Sequence, residues 1–185
     1  MLSQLRRSIL LALISLILFG LLYPLAGTAL SQVAFHHQAN GSLSSNGSTL
    51  IGQNWKGPTW FHGRPDDTKP YTGDNPMASG ATNLGPRSKV LVTNTKELIA
   101  WWHSMGVNPT PDLVTTSGSG LDPDISERDA LVQIPMITKA TGIAPGALRK
   151  LISEYVQPAQ LGFLGTSYID VLSLNEGLAR LKRGS

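Results

Sequence analysis

Hydrophobic and polar positions divide the chain unequally. From Ile9 to Leu30 the sequence reads ILLALISLILFGLLYPLAGTAL, 22 residues without a charge. As a helix rising 1.5 Å per residue, this run spans about 33 Å, close to the hydrocarbon thickness of a bilayer. Arg6 and Arg7 precede it, and basic residues at that position hold an N-terminus in the cytoplasm. The pattern predicts a cytoplasmic segment over 1–8, a transmembrane helix over 9–30, and an extracytoplasmic remainder. A cleaved secretory signal is the competing reading, with Gly27-Thr28-Ala29 as the small-residue cleavage site. The apolar stretch before Pro24 is long for a signal, however, and apolar character resumes after it to Leu30. Pro24 has no N–H for the Gly20 carbonyl, which predicts a small kink. Gly20, Tyr23, Pro24 and Gly27 are candidates for packing against another helix, because small residues permit close approach.

Beyond the span, SQVAFHHQA (31–39) can continue the helix outward. Adjacent His36 and His37 point about 100° apart on a helix and do not readily share one metal. NGSLSSNGST (40–49) is rich in turn formers, so 31–49 reads as a polar connector to a domain over 50–185. That domain opens with LIGQNWKGPTWFH (50–62), followed by Gly63-Arg64-Pro65-Asp66-Asp67, a turn at Asp74-Asn75-Pro76, and SGATNLGP (79–86). A long irregular stretch carrying tryptophans argues for order rather than disorder. Trp and Arg together in a loop suit a partner-gripping surface. The alternative is that the tryptophans are the largest members of the core, and the sequence leaves both open.

Regular structure follows. Asn94-Thr95-Lys96-Glu97 has the spacing of a capping box and predicts a helix from Asn94 to about Met105, stopped by Gly106. Adjacent Trp101 and Trp102 cannot both face one core, so one packs inward and the other lies at an edge. Val114 to Thr116 reads as extended, and Ser117-Gly118-Ser119-Gly120 as a tight loop. Ser126 with Asp129 starts a helix running toward Lys139, kinked at Pro135 and ending near Gly142. Pro145 opens another, whose Leu148, Leu151, Ile152 and Tyr155 form one apolar face. Gly162 and Gly165 bound a loop, Tyr168 to Leu172 is a strand candidate, and Asn175 is placed to cap a short last helix. Arg180, Lys182 and Arg183 fall near that helix's C-terminus, where its dipole favours them. The expected class is α+β: one N-terminal transmembrane helix and one mixed domain with short strands near 50, 90, 114 and 170 and three to four helices.

Composition narrows the chemistry. The 185 residues include no cysteine, so an extracytoplasmic domain must rely on an ordinary core. The formal charge is +3, of which Arg6 and Arg7 supply two units, leaving a nearly neutral domain without a basic nucleic-acid surface. No P-loop string occurs; the amides of Ser117 to Gly120 could nest an anion or simply turn the chain. The four histidines, His36, His37, His62 and His103, lie in no recognisable nucleophile elbow. Asp122, Asp124 and Asp129 lack calcium-loop spacing. The residues indicate no catalytic group, metal ligand or resident cofactor, and favour an accessory subunit or a sensor.

Several blocks carry a resemblance. Tyr23-Pro24 near the end of the span is followed by GSTLIGQ (47–53), FHGRP (61–65), SGATNLGP (79–86), and Asp112 to Ser126 with SGSGLDP at its centre. In this order and spacing the chain resembles the KdpC family, the small subunit of the bacterial K⁺-transporting ATPase. The match is looser toward the end: Asp124 stands where the pattern more often has His, and Thr138 to Thr141 and Leu164 to Ser167 depart from it. The resemblance implies a non-catalytic subunit of the bacterial inner membrane. Its implied partners are a channel-like K⁺ subunit, a P-type ATPase subunit and a small single-span subunit. It implies support of assembly and a raised ATP affinity of the ATPase subunit. K⁺ is the cargo, and ATP bears on this chain only through the complex. Positive-inside topology puts the domain opposite cytoplasmic ATP, which favours an indirect effect through contacts in the membrane and above the channel-like subunit over a direct contact from the opposite orientation. The implied interface candidates are Trp60, Arg64, Pro65, Ser117, Gly118, Gly120, Asp122 and Pro123. Gly63-Arg64-Pro65 and Ser117 to Pro123 are expected to meet the channel-like subunit's outer face near the K⁺ entry, where Asp66, Asp67, Asp122 and Asp124 could attract cations modestly. Two other function classes are kept. One is a tethered periplasmic binding or sensor module with a pocket lined by Trp55, Trp60, Trp101 or Trp102. The other is an enzyme centred on Asp122 and Asp124.

Overall fold

The structure, a computed structural model, describes residues 2–66 and 79–184. Asp67 and the turn expected at Asp74-Asn75-Pro76 lie outside the described residues. The chain forms two compact units, Met1–Leu43 and Ser44–Ser185.

The first unit is helical: α1 (Leu2–Ile17), a π turn (Leu18–Leu22), α2 (Tyr23–Ala34) and the single turn α3 (His36–Ala39). Helix is continuous over Leu2–Ala34, longer than the apolar run read from the sequence. The π turn is the local answer to Pro24. Tyr23 donates its N–H to the Leu18 carbonyl, five residues back. Widening the turn there relieves the clash between a proline ring and the carbonyl four residues before it. No residue of α1 or α2 is buried. A helix apolar on all sides needs an apolar solvent, and its internal hydrogen bonds suit it to a bilayer. Phe35, at φ −139°, ends α2. Asn40 Nδ2 then donates to the His36 carbonyl at 2.6 Å and to Gln32 Oε1 at 3.0 Å. His36 is thus held in a local polar knot.

The second unit contains α4 (Lys89–Ser104), a 3-10 turn (Asp112–Val114), β1 (Asp124–Ile125), α5 (Glu127–Val132), α6 (Ile134–Thr141), α7 (Pro145–Tyr155), β2 (Ile169–Asp170) and α8 (Val171–Gly184). The antiparallel pair β1–β2 sets Asp124 opposite Asp170 and Ile125 opposite Ile169. Ile125 and Ile169 point into a core shared with Trp102, Leu113, Ile137, Leu148, Ile152, Leu174 and Leu178. Trp102 is the inward member of its pair, with Nε1 donating to the Leu113 carbonyl at 2.9 Å. Trp101 is half-buried at the edge.

Several sequence expectations are corrected. Helix α4 begins at Lys89, with the Ser88 hydroxyl accepting from the Leu91 N–H, so Asn94 is an interior residue. Its spacing to Glu97 is an i, i+3 pair, a pattern that also occurs inside helices. The single kinked helix expected after Ser126 is two. Ser126 and Asp129 form the capping box of α5, the run breaks at Gln133, and Pro135 sits in the first turn of α6, where its missing N–H costs nothing. Gly142, at φ +75°, closes α6 as expected. Residues near 90 are helical and Val114 lies in the 3-10 turn. Among the described residues only the expectation near 170 meets a strand, paired with one at 124–125. That strand is shorter than Tyr168 to Leu172, because α8 starts at Val171 and Asp170 Oδ1 accepts from the Ser173 N–H at 2.7 Å. Asn175 is therefore inside α8 rather than its cap.

Candidate partner-docking site

The site is built on irregular backbone, so its peptide groups need partners other than a sheet. Phe61 and His62 are both buried. Two side-chain amides serve them. Asn175, from α8, accepts from the Phe61 N–H at 2.9 Å and donates to the Phe61 carbonyl at 2.8 Å. Gln133, from the break between α5 and α6, accepts from the His62 N–H at 2.8 Å and donates to the His62 carbonyl at 3.0 Å. Each amide presents one acceptor and one donor and so mimics a strand partner. Both amides are fully buried. The His62 ring meets Trp101 and Trp102 edge-on at 5.5 and 5.7 Å. Burial lowers its pKa below the usual histidine value, keeping it neutral.

From this anchored pair the chain leads to Arg64. Its guanidinium bonds Asp122 at 3.2 Å and the carbonyls of Thr115 and Thr116 at 3.4 and 3.2 Å. Arg64 thus ties FHGRP to the loop before β1, with both charged side chains about a quarter exposed. That loop is shaped by its own hydroxyls. Ser117 Oγ accepts from the Gly120 N–H at 2.9 Å, and Ser119 Oγ from the Leu121 N–H at 3.0 Å. Gly120 sits at φ +69°, and a Cβ there would lie 2.1 Å from the Gly80 carbonyl oxygen. Only glycine permits that backbone approach. Ser79 Oγ adds a bond to the Ser119 carbonyl at 2.8 Å. The SGATNLGP and SGSGLDP blocks therefore meet directly.

Acidic groups gather at the base. Asp122 Oδ1 accepts from the Asp124 N–H at 3.1 Å. Asp124 is pushed up to about 6 by burial, and by the charges of Asp122 and Asp170. Asp170 is also raised, by burial, with Ser173 opposing and the Glu176 charge reinforcing. Among the described residues, no group of three or more His, Asp or Glu is arranged to hold a metal ion.

The structure brings Arg64, Ser117, Gly120 and Asp122 into one patch, where Pro65, Ser117 and Gly120 are buried, Gly118 is exposed and Pro123 is half-buried. Trp60 lies elsewhere, tilted 43° against Trp55 at a centroid distance of 5.0 Å, with the Lys182 ammonium 3.5 Å from its ring centroid. All four tryptophans pack into or against the core. A groove of about 700 Å³ has Thr59, Gly142, Ile143, Ala147, Leu181 and Lys182 in its wall, and no tryptophan. Gly20, Tyr23, Pro24 and Gly27 lie exposed along the membrane helix. The π turn re-phases Gly20 against Gly27. Sequence reasoning missed Gln133 and Asn175. Their one sequence signal is an amide among apolar helix positions.

The chain matches, over residues 5–180, the family described as KdpC: K⁺-transporting ATPase, c chain. It is 44% identical over 171 residues to the potassium-transporting ATPase KdpC subunit of Gloeobacter violaceus, covering 89% of each chain. It is 42% identical over 187 residues to that of Geobacter sulfurreducens, covering 97% of this chain and 98% of the relative. To that of Caulobacter vibrioides it is 41% identical over 186 residues, covering 96% and 93%. The matched span includes the membrane helix, the FHGRP block and the SGSGLDP loop, and the chain belongs to the KdpC family.

Proposed function

We propose that this chain is the non-catalytic accessory subunit of an ATP-driven K⁺ import assembly. The match to the c chain of K⁺-transporting ATPases over residues 5–180 carries the reading. The chain divides into a cytoplasmic start (1–8), a membrane span (9–30), a connector (31–49) and an extracytoplasmic domain (50–185). Its partners are a channel-like K⁺ subunit, a P-type ATPase subunit and a small single-span subunit. The Arg64–Asp122 patch meets the outer face of the channel-like subunit, and Gly20 to Gly27 packs against a neighbouring span. ATP is hydrolysed on the other side of the bilayer. This chain therefore raises the ATPase subunit's affinity for ATP through contacts in and above the membrane, without holding the nucleotide.

A mild-detergent pulldown of the full chain from its native membrane tests the reading. It is expected to bring a P-type ATPase and a polytopic channel-like protein, with K⁺-stimulated hydrolysis. A lone band would favour a tethered binding module instead. Arg64→Ala is expected to reduce recovery of the partners several-fold, because it unties the FHGRP segment from Asp122 and the two threonine carbonyls of the loop before β1. Unchanged recovery and K⁺ uptake would remove the patch from the interface.

A further inference from the structure

The connection between α7 and β2 carries an exposed apolar tip that no step above uses. Gln157 and Tyr168 exchange backbone hydrogen bonds at 2.8 and 3.0 Å, and Gln160 and Leu164 do so at 3.0 and 2.9 Å. These two bridges hold a narrow hairpin. At its tip Leu161 is 82% exposed, Phe163 74% and Leu164 49%. Leu161 adopts φ +53°, between Gln160 and Gly162 at φ +80°. That is a left-handed conformation which an L side chain resists, and such strain persists where surrounding bonds over-determine the backbone. The hairpin holds its largest apolar side chains outward.

We propose that this tip is a docking knob that enters an uncharged apolar cleft on the extracytoplasmic side of another subunit of the K⁺-transporting assembly. The proposal rests on the accessory-subunit reading. Charge selects the occupant. No Asp, Glu, Lys or Arg occurs between Glu154 and Asp170, so the complementary surface is uncharged. Amphipathic helices that lie in a lipid interface carry Lys or Arg beside their apolar residues, and this hairpin has neither. Area excludes a second copy as a free-standing partner. The tip offers on the order of 400 Å², against ~800 Å² per partner in a standard stable interface. An area of that size suffices when partners are already confined to one membrane, where tethering supplies the effective concentration. Leu161 and Phe163 are the anchors, preorganised by the two bridges.

The chain has no cysteine, so Leu164→Cys, beside the two anchors and 49% exposed, accepts one environment-sensitive fluorophore at the tip without background. The full-length labelled chain is measured in phosphatidylcholine–phosphatidylglycerol nanodiscs, alone and assembled with the other subunits. Emission is expected at the aqueous position alone and blue-shifted in the assembly. A blue shift in nanodiscs alone would assign the tip to the bilayer, and no shift in either state would leave it free; each overturns the proposal. In parallel, full-length Leu161→Ser/Phe163→Ser is compared with wild type by pulldown. Partner recovery is expected to fall about tenfold with an unchanged melting temperature, since both side chains are exposed. Full recovery with the variant overturns the docking knob alone, whereas no recovery with wild type overturns the accessory-subunit reading first.

Discussion

Replacing Asn175 with alanine strikes the point where an irregular segment depends on a distant helix. The substitution deletes both hydrogen bonds to Phe61, whose N–H and carbonyl lie in a residue with no solvent exposure. Water cannot take over without opening the core. Each stranded buried group costs ~1–3 kcal/mol, so the pair costs about 4 kcal/mol. Small domains have only ~5–15 kcal/mol in total. At ~3 °C per kcal/mol for a unit of this size, the melting temperature should fall by about 12 °C. Tryptophan fluorescence of the full chain in detergent is the suitable signal, because Trp55, Trp60, Trp101 and Trp102 all lie in the Ser44–Ser185 unit and none in the membrane helix. Ser153→Ala, which removes an exposed hydroxyl bond to Lys150, serves as control and should shift the melt by less than ~2 °C. If Asn175→Ala melts within the control's range, buried amides do not secure the FHGRP segment and the account of the site is wrong.

Two further substitutions test the loop and its acidic base. Gly120→Ala should cost about 3 kcal/mol, from the left-handed backbone and the clash with the Gly80 carbonyl. Gly118→Ala, with nothing within 4 Å of its Cβ, should change stability by less than ~1 kcal/mol, and equal urea midpoints would refute the close approach. Asp124, pushed up to about 6, binds its proton more tightly folded than unfolded. Its contribution is therefore present in acid and is lost as pH rises from the ordinary carboxylate range through 6. Because the group is half exposed, screening reduces the effect at pH 7 to ~1 kcal/mol. Asp124→Asn should raise the urea midpoint at pH 7 and leave it unchanged at pH 4, and the same difference at both would contradict the electrostatic cause.

Local signals in the sequence were readable, and non-local ones were not. The membrane helix needs only an uncharged apolar run and two flanking arginines. Helix α7 declares itself through Pro145 and the Leu148, Leu151, Ile152, Tyr155 face, and α5 through the Ser126–Asp129 capping box. Asn94–Glu97 has the same local form, yet Ser88 starts α4 one and a half turns earlier, because the pattern is indifferent to whether a helix is beginning or continuing. The two-residue strands exist only because β1 meets β2 across more than forty residues, so neither carries enough alternation to be read alone. Gln133 and Asn175 are worse cases, since a buried amide serving a backbone 71 or 114 residues away has no signature near itself. Of the interface candidates, Arg64 and the Ser117 to Asp122 loop share one patch in the fold, whereas Trp60 lies elsewhere. The Arg64 contacts with Asp122, Thr115 and Thr116 could not be anticipated. The exposed apolar tip at Leu161 and Phe163 read only as a glycine-bounded loop.

The most direct test of the accessory role is hydrolysis itself. K⁺-stimulated ATP turnover would be measured across ATP concentrations for the ATPase and channel-like subunits in nanodiscs, with and without this chain. The account predicts no turnover by the chain alone, a higher apparent KM for ATP in its absence, and restoration when the full-length chain is added back. Turnover by the isolated chain, or an ATP dependence indifferent to its presence, would contradict it.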